Sequence, residues 1–204
     1  MPNKKELENM INEYLSWYSK HGNNYKSVGW NRPKHITRFE ILLDFWGNAI
    51  VENSLEIIDL GCGLAHLAEF IKINHPKYKY VGVDINGHFI ELNKKMFPEY
   101  RFYINSADTF TEKSDLIVAS GLFNRRFNDS ELFFNKTVNK MINNSKIGCS
   151  FNCLSETALK KNDKNFYISM ANIESIIDRK LIDGFVVNGD SIPGEITVHL
   201  RKKS

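Results

Sequence analysis

The sequence predicts an α/β fold: seven strands in a mostly parallel sheet that ends in an antiparallel hairpin, with helices on both faces. Three observations predict it. From Leu55 onward, short apolar strands alternate with amphipathic helices, the texture of a sheet covered on both sides. One such strand, Ile57-Ile58-Asp59-Leu60, runs into Gly61-Cys62-Gly63 and directly into a helix. The last two strands, 184–188 and 195–201, are joined by six residues around Ser191-Ile192-Pro193-Gly194. That joint is too short for a parallel crossover, which needs about a dozen residues or more, and suits a hairpin.

The elements follow in order. Leu7, Met10, Ile11, Tyr14, Leu15 and Tyr18 recur at helical spacing across 6–20 and predict an amphipathic N-terminal helix. A loop from His21 to Trp30 follows. Pro33 suits the first turn of a second helix, whose apolar stripe is Ile36, Phe39, Leu42, Leu43 and Trp46. Strands are expected at 55–60, 78–84, 101–105, 115–119 and 148–154, with helices at 65–73, 87–97 and 130–143 between them. A helix at 170–181 precedes the terminal hairpin. The chain reads as one domain, 1–204: residues 1–50 form a helical lid and 55–204 the core.

Composition narrows the function classes. With 204 residues, 42% hydrophobic and 25% charged, the chain has the balance of a globular domain with a core of ordinary size. A net charge of +3 lacks the concentrated basic face of nucleic-acid binders. No apolar run approaches the roughly 20 residues that span a bilayer, and the first thirty residues hold no signal-like core. The expectation is a cytoplasmic protein. Cys62, Cys149 and Cys153 match no metal or redox spacing and read as reduced thiols, and no metal is expected.

The glycine turn carries the first chemical signal. Glycine lets a backbone turn tightly and lets a ligand approach without a Cβ in the way, and the following helix start offers unpaired N–H groups. About 20 residues on, the strand Tyr80-Val81-Gly82-Val83-Asp84 ends in a carboxylate placed to hydrogen-bond ribose hydroxyls. A dinucleotide site would want a third glycine at the helix start, where His66 stands instead.

These residues resemble the class I S-adenosylmethionine-dependent methyltransferases. Asp59-Leu60-Gly61-Cys62-Gly63 looks like their first motif, Val81-Gly82-Val83-Asp84 like their second, and Asp115-Leu116-Ile117-Val118-Ala119-Ser120-Gly121 like their fourth strand and its loop. The resemblance implies a Rossmann-like sheet with S-adenosylmethionine as cofactor and S-adenosylhomocysteine as product. It implies Gly61 and Gly63 beside the methionine part, Asp59 near its amino group, Asp84 on the ribose diol, Ile85 flanking adenine and Asp108 at the adenine edge. Trp30, the Arg38-Phe39 pair and Ala119-Ser120-Gly121-Leu122-Phe123-Asn124 resemble a subgroup acting on small molecules, including sugars and natural-product intermediates. That likeness implies Arg38 as the partner of the cofactor's carboxylate.

In an open parallel sheet, ligands lie beyond the carboxyl ends of the strands. The loop holding Asn124, Arg125 and Arg126 therefore faces the substrate, and the arginines could clamp an anionic group through paired hydrogen bonds or stand as a solvated loop tip. Displacement at a sulfonium methyl draws on positioning, and a hydroxyl acceptor gains from a base. The candidates are His21, His35, His199 and Glu195, and nothing in their spacing selects one. The leading expectation is an enzyme that methylates a small molecule, at oxygen before nitrogen. Alternatives are a non-catalytic S-adenosylmethionine-binding module or partner subunit, and an RNA or protein methyltransferase. Neither a membrane nor nucleic acid is the expected partner, and the oligomeric state is not legible.

Overall fold

The structure is a computed structural model that describes residues 2–30, 34–47, 54–189 and 191–203. The expectation for Pro33 lies outside these residues. Helix α1 (Lys4–His21) leads through a short 3-10 turn, Tyr25–Val28, to α2 (Lys34–Asp44). The core then runs β1 (Glu56–Leu60), α3 (His66–Asn74), β2 (Lys79–Asp84), α4 (Gly87–Met96), β3 (Arg101–Ile104) and β4 (Ser114–Ala119). It continues with α5 (Ser130–Asn144), β5 (Ser145–Ser155), β6 (Tyr167–Ile168), α6 (Met170–Ile176), β7 (Ile182–Asn188) and β8 (Glu195–Lys202). The expected α/β class and the order of the main elements hold, with α6 ending five residues earlier than its apolar pattern suggested.

The strand order is β3-β2-β1-β4-β5-β8-β7. Strands β1 to β5 are mutually parallel, whereas β8 runs antiparallel to both β5 and β7. The hairpin expected from the six-residue joint is therefore present, and its second strand is inserted between the first and the parallel sheet. The short β6 adds an eighth strand by pairing with the end of β5. Two residues are too few to show a period, so no pattern along the chain announces it.

Alternation along the strands builds two cores, one on each face. Ile58, Leu60, Ile117, Ala119, Phe151 and Cys153 pack with Phe133, Phe134, Val138 and Met141 of α5. On the other face, Ile57, Tyr80, Leu116 and Val118 pack with Phe39 and Leu43 of α2, Trp46, and Leu67, Ala68 and Ile71 of α3. Successive side chains of a strand point to opposite faces, which is why neighbouring residues serve different cores. Each fully buried Ile or Leu contributes about 1.5–3 kcal/mol.

Polar groups on the second face are matched as well. Trp46 donates through Nε1 to Ser150 Oγ at 2.7 Å, and Ser150 Oγ lies 2.7 Å from His199 Nδ1. Gly148 makes this approach feasible, since a Cβ there would overlap the Leu200 carbonyl and the Trp46 ring. All three cysteines are buried and unpaired with one another. No described helix is long and apolar enough to cross a membrane.

Candidate active site

The carboxyl ends of β1, β2 and β4 open into one cavity of about 1160 Å³, its mouth included. The ends of parallel strands leave such a crevice because each must hand over to a helix on one face or the other. Strand β1 delivers Asp59 and the turn Gly61-Cys62-Gly63, and β2 delivers Asp84, Ile85 and Asn86. Asn105, Ser106 and Ala107 follow β3, and Ser120, Gly121 and Leu122 follow β4. Helix α1 closes one side with Leu7, Met10, Ile11 and Tyr14; Tyr25, Val28, Trp30, His35 and Phe39 close another.

The turn has the backbone that its glycines imply. Gly61 and Gly63 have φ of 77° and 52°, in the region where a side chain is strained. The N–H groups of Gly61 and Cys62 both donate to the Val83 carbonyl, at 2.8 and 3.1 Å, tying the turn to β2. Asn93 of α4 donates to the Gly63 carbonyl at 2.8 Å. Asp84 accepts from Gly63 N at 2.8 Å and from Asn86 N at 2.8 Å. Its carboxylate is thus oriented by backbone donors while burial raises its pKa above the ordinary value.

Asp59 is 3% exposed and accepts from the Tyr80 hydroxyl at 2.7 Å. Burial pushes its pKa up to about 7, with the Tyr80 hydrogen bond pulling the other way and the Asp84 charge adding to the rise. A buried carboxylate with one neutral donor is short of a counter-charge, and a cationic group in the cavity would supply it. Tyr80 carries no role in the sequence reading beyond its place in a strand. The register explains its role: Ile57 pairs with Tyr80 and Asp59 with Gly82, so Tyr80 and Asp59 share a face.

The remaining sequence candidates separate clearly. Ile85 lines the cavity, but Asp108 does not; it accepts from Ser106 Oγ, and the wall there is Asn105, Ser106 and Ala107. Arg125 lines the cavity and forms an ion pair with Glu13 of α1. Arg126 is exposed and donates through Nε to the Asn165 carbonyl at 3.0 Å. Asn124 lies outside the lining, its carbonyl accepting from Phe166 N at 2.9 Å.

Arg38 is also absent from the lining. Its guanidinium grips Glu195 through Nε, at 2.6 Å, and Nη2, and it stacks over the Trp30 ring at 4.2 Å. One ion pair thereby engages two candidates, the carboxylate receptor and the base. His199 is locked between Ser150 and the Phe45 ring, stacked at 4.5 Å, and burial pushes its pKa down to about 4. His21 ends α1 away from the lining, so His35 is the one base candidate that the cavity wall includes. His66, which stands where a dinucleotide site would want its third glycine, also lines it, with its ring 6.2 Å from that of His35.

Two further side chains escape sequence reasoning. Asn152 is 1% exposed and fixes the loop after β4, accepting from Gly121 N at 2.7 Å and donating to Ser120 Oγ at 3.3 Å. Asn86, 3% exposed, caps α4 with Oδ1 and leaves its buried Nδ2 with no partner at the cavity wall. An unmatched buried donor there calls for an acceptor on a ligand. The glycine cradle, the carboxylate at the end of β2 and this orphaned amide together fit a nucleoside with a charged amino-acid arm. Among the described residues no group of three or more His, Cys, Asp or Glu is placed to hold a metal ion.

Comparison with known proteins identifies a family and a shared fold. Residues 52–188 match the family model described as a methyltransferase domain. Rv1506c of Mycobacterium tuberculosis, which bears a methyltransferase name, is 28% identical over 156 residues, covering 72% of this chain and 93% of that protein. The magnesium protoporphyrin IX methyltransferase of Synechocystis PCC 6803, solved with bound S-adenosylhomocysteine, has a similar fold: TM-score 0.68, 11% identity, 96% of this chain and 95% of that one. The N-methyltransferase NodS of Bradyrhizobium japonicum WM9 is comparable, with TM-score 0.62 and 13% identity over 85% of this chain and 99% of that one.

Proposed function

Because this chain belongs to the methyltransferase-domain family, we propose that it transfers a methyl group from S-adenosylmethionine to a small-molecule acceptor. The observation that carries the reading is the single cavity joining Asp59, the Gly61–Gly63 turn, Asp84 and the unmatched Asn86 amide. When bound, S-adenosylmethionine supplies an electrophilic methyl group on a sulfonium with a neutral leaving group. Asp84 holds the ribose diol, Asn86 and the Asn105–Ala107 segment meet the nucleoside, and Asp59 pairs with the ammonium. Leu122 and Trp30, seated against Gly61 and Gly121, exclude water from the reacting end.

Asp59 and Asp84 are the carboxylates among the described lining residues, and both are assigned to the cofactor. The acceptor in this reading is an oxygen, served by positioning and by His35 on the cavity wall in place of a carboxylate base. Titration of the protein with S-adenosylhomocysteine by calorimetry tests the cofactor, with NADH as control ligand. Saturable binding is expected. Asp84→Ala should weaken it by about tenfold or more, the scale of a hydrogen bond to a charged group. A folded protein that ignores S-adenosylhomocysteine would sink the reading. Mass spectrometry of products then separates O- from N-methylation.

A further inference from the structure

The amino-acid end of the proposed methyl donor is a zwitterion, and Asp59 serves only its ammonium. Its carboxylate needs a cationic or N–H donor partner near Gly63. Arg38 is engaged by Glu195, 157 residues away in sequence, and lies outside the cavity lining. Among the described lining residues the basic side chains are His35, His66 and Arg125. Arg125 is held by Glu13 under α1, on the loop after β4. The two histidines gather elsewhere. His66 follows Gly63 by three residues and opens α3, and Val28, from the same wall as His35, sits against Gly63.

Resting on the S-adenosylmethionine reading, we propose that His66, braced by His35, receives the carboxylate of the donor's amino-acid arm. A carboxylate accepting from an imidazole N–H forms a charge-assisted bond, roughly twice as strong as a neutral one. The first turn of α3 adds backbone N–H groups with the same preference for an anion. His35 is itself held in place by aromatic neighbours. It stacks on Tyr25 with centroids 5.7 Å apart, and the edges of Trp30 and Phe39 approach it at 6.5 and 5.8 Å. Burial, with His35 next to it, pushes the His66 pKa down to about 4. An arriving carboxylate compensates both effects, because it favours the charged or N–H-donating imidazole.

The test compares two ligands by calorimetry. S-adenosylhomocysteine carries the amino-acid arm, and 5′-methylthioadenosine is the same nucleoside thioether without it. His66→Ala should weaken S-adenosylhomocysteine about tenfold or more and leave methylthioadenosine within about twofold. His66→Gln, which keeps an N–H donor, should recover part of the loss. Equal weakening of both ligands would make His66 a structural residue and overturn the proposal, as would no change in either. Wild-type protein that binds neither ligand overturns the cofactor reading and this inference with it. Normal wild-type binding with an indifferent His66→Ala overturns this inference alone.

Discussion

Asp59 joins the chemistry of the site to its stability. Its folded pKa of about 7 lies above the ordinary 3.8, so the cofactor-free fold favours the protonated acid. Stability present below the unfolded pKa is lost as pH rises through about 7, where the buried group must ionise. An ammonium ligand reverses that preference, and binding below about pH 7 must expel the proton. Affinity for S-adenosylhomocysteine should therefore climb as pH rises toward about 7 and then level off, with proton release seen by calorimetry in buffers of different ionisation enthalpy. Measuring this in the His66→Gln protein removes the opposing contribution of that imidazole. Asp59→Asn should bind weakly with a flattened profile and melt higher than wild type at alkaline pH; an unchanged slope would refute this role. Asp59 was legible because its motif is local. Tyr80, its donor, was not, since only strand register brings the two together.

At the scale of elements, α1 forms one side of the cavity. It contains no fully buried residue, yet its apolar stripe of Leu7, Met10, Ile11 and Tyr14 forms cavity wall. Polar hooks hold it there. Glu6 completes the capping box with Asn3 and also accepts from Asn128 N at 2.8 Å, while Glu13 pairs with Arg125 and lies 3.6 Å from Lys164. The Glu13–Arg125 side chains are each 25% exposed, so solvent screens the pair and its worth is about 1 kcal/mol. Glu13→Gln should raise the opening of α1 by about fivefold, read as faster limited proteolysis near the N-terminus and faster release of S-adenosylhomocysteine. Both rates unchanged would mean the stripe alone holds the helix. The stripe was legible from its period; the hooks were not, because charged residues on a helix do not declare their partners.

For the whole molecule, the Arg38–Glu195 pair fastens the N-terminal region to the start of β8. Its side chains are only 10% and 8% exposed, and breaking such a pair leaves a buried charge uncompensated. Arg38→Met should cost about 3–5 kcal/mol in denaturant unfolding. Combined with Glu195→Leu it should cost less than alone, and simple additivity of the two variants would refute the coupling. By itself the sequence determined the parallel sheet, its terminal hairpin, the glycine turn and the acids at Asp59 and Asp84. Those features rest on periods of 2 and 3.6 residues and on spacings within one strand–turn–helix unit, which the chain encodes locally. Tertiary structure alone decided that β8 enters between β5 and β7, that Arg38 meets Glu195, that His199 is sealed in and that His35 meets His66. Each of those outcomes is a choice of partner among residues far apart in the chain, made by packing and burial, which no local pattern contains.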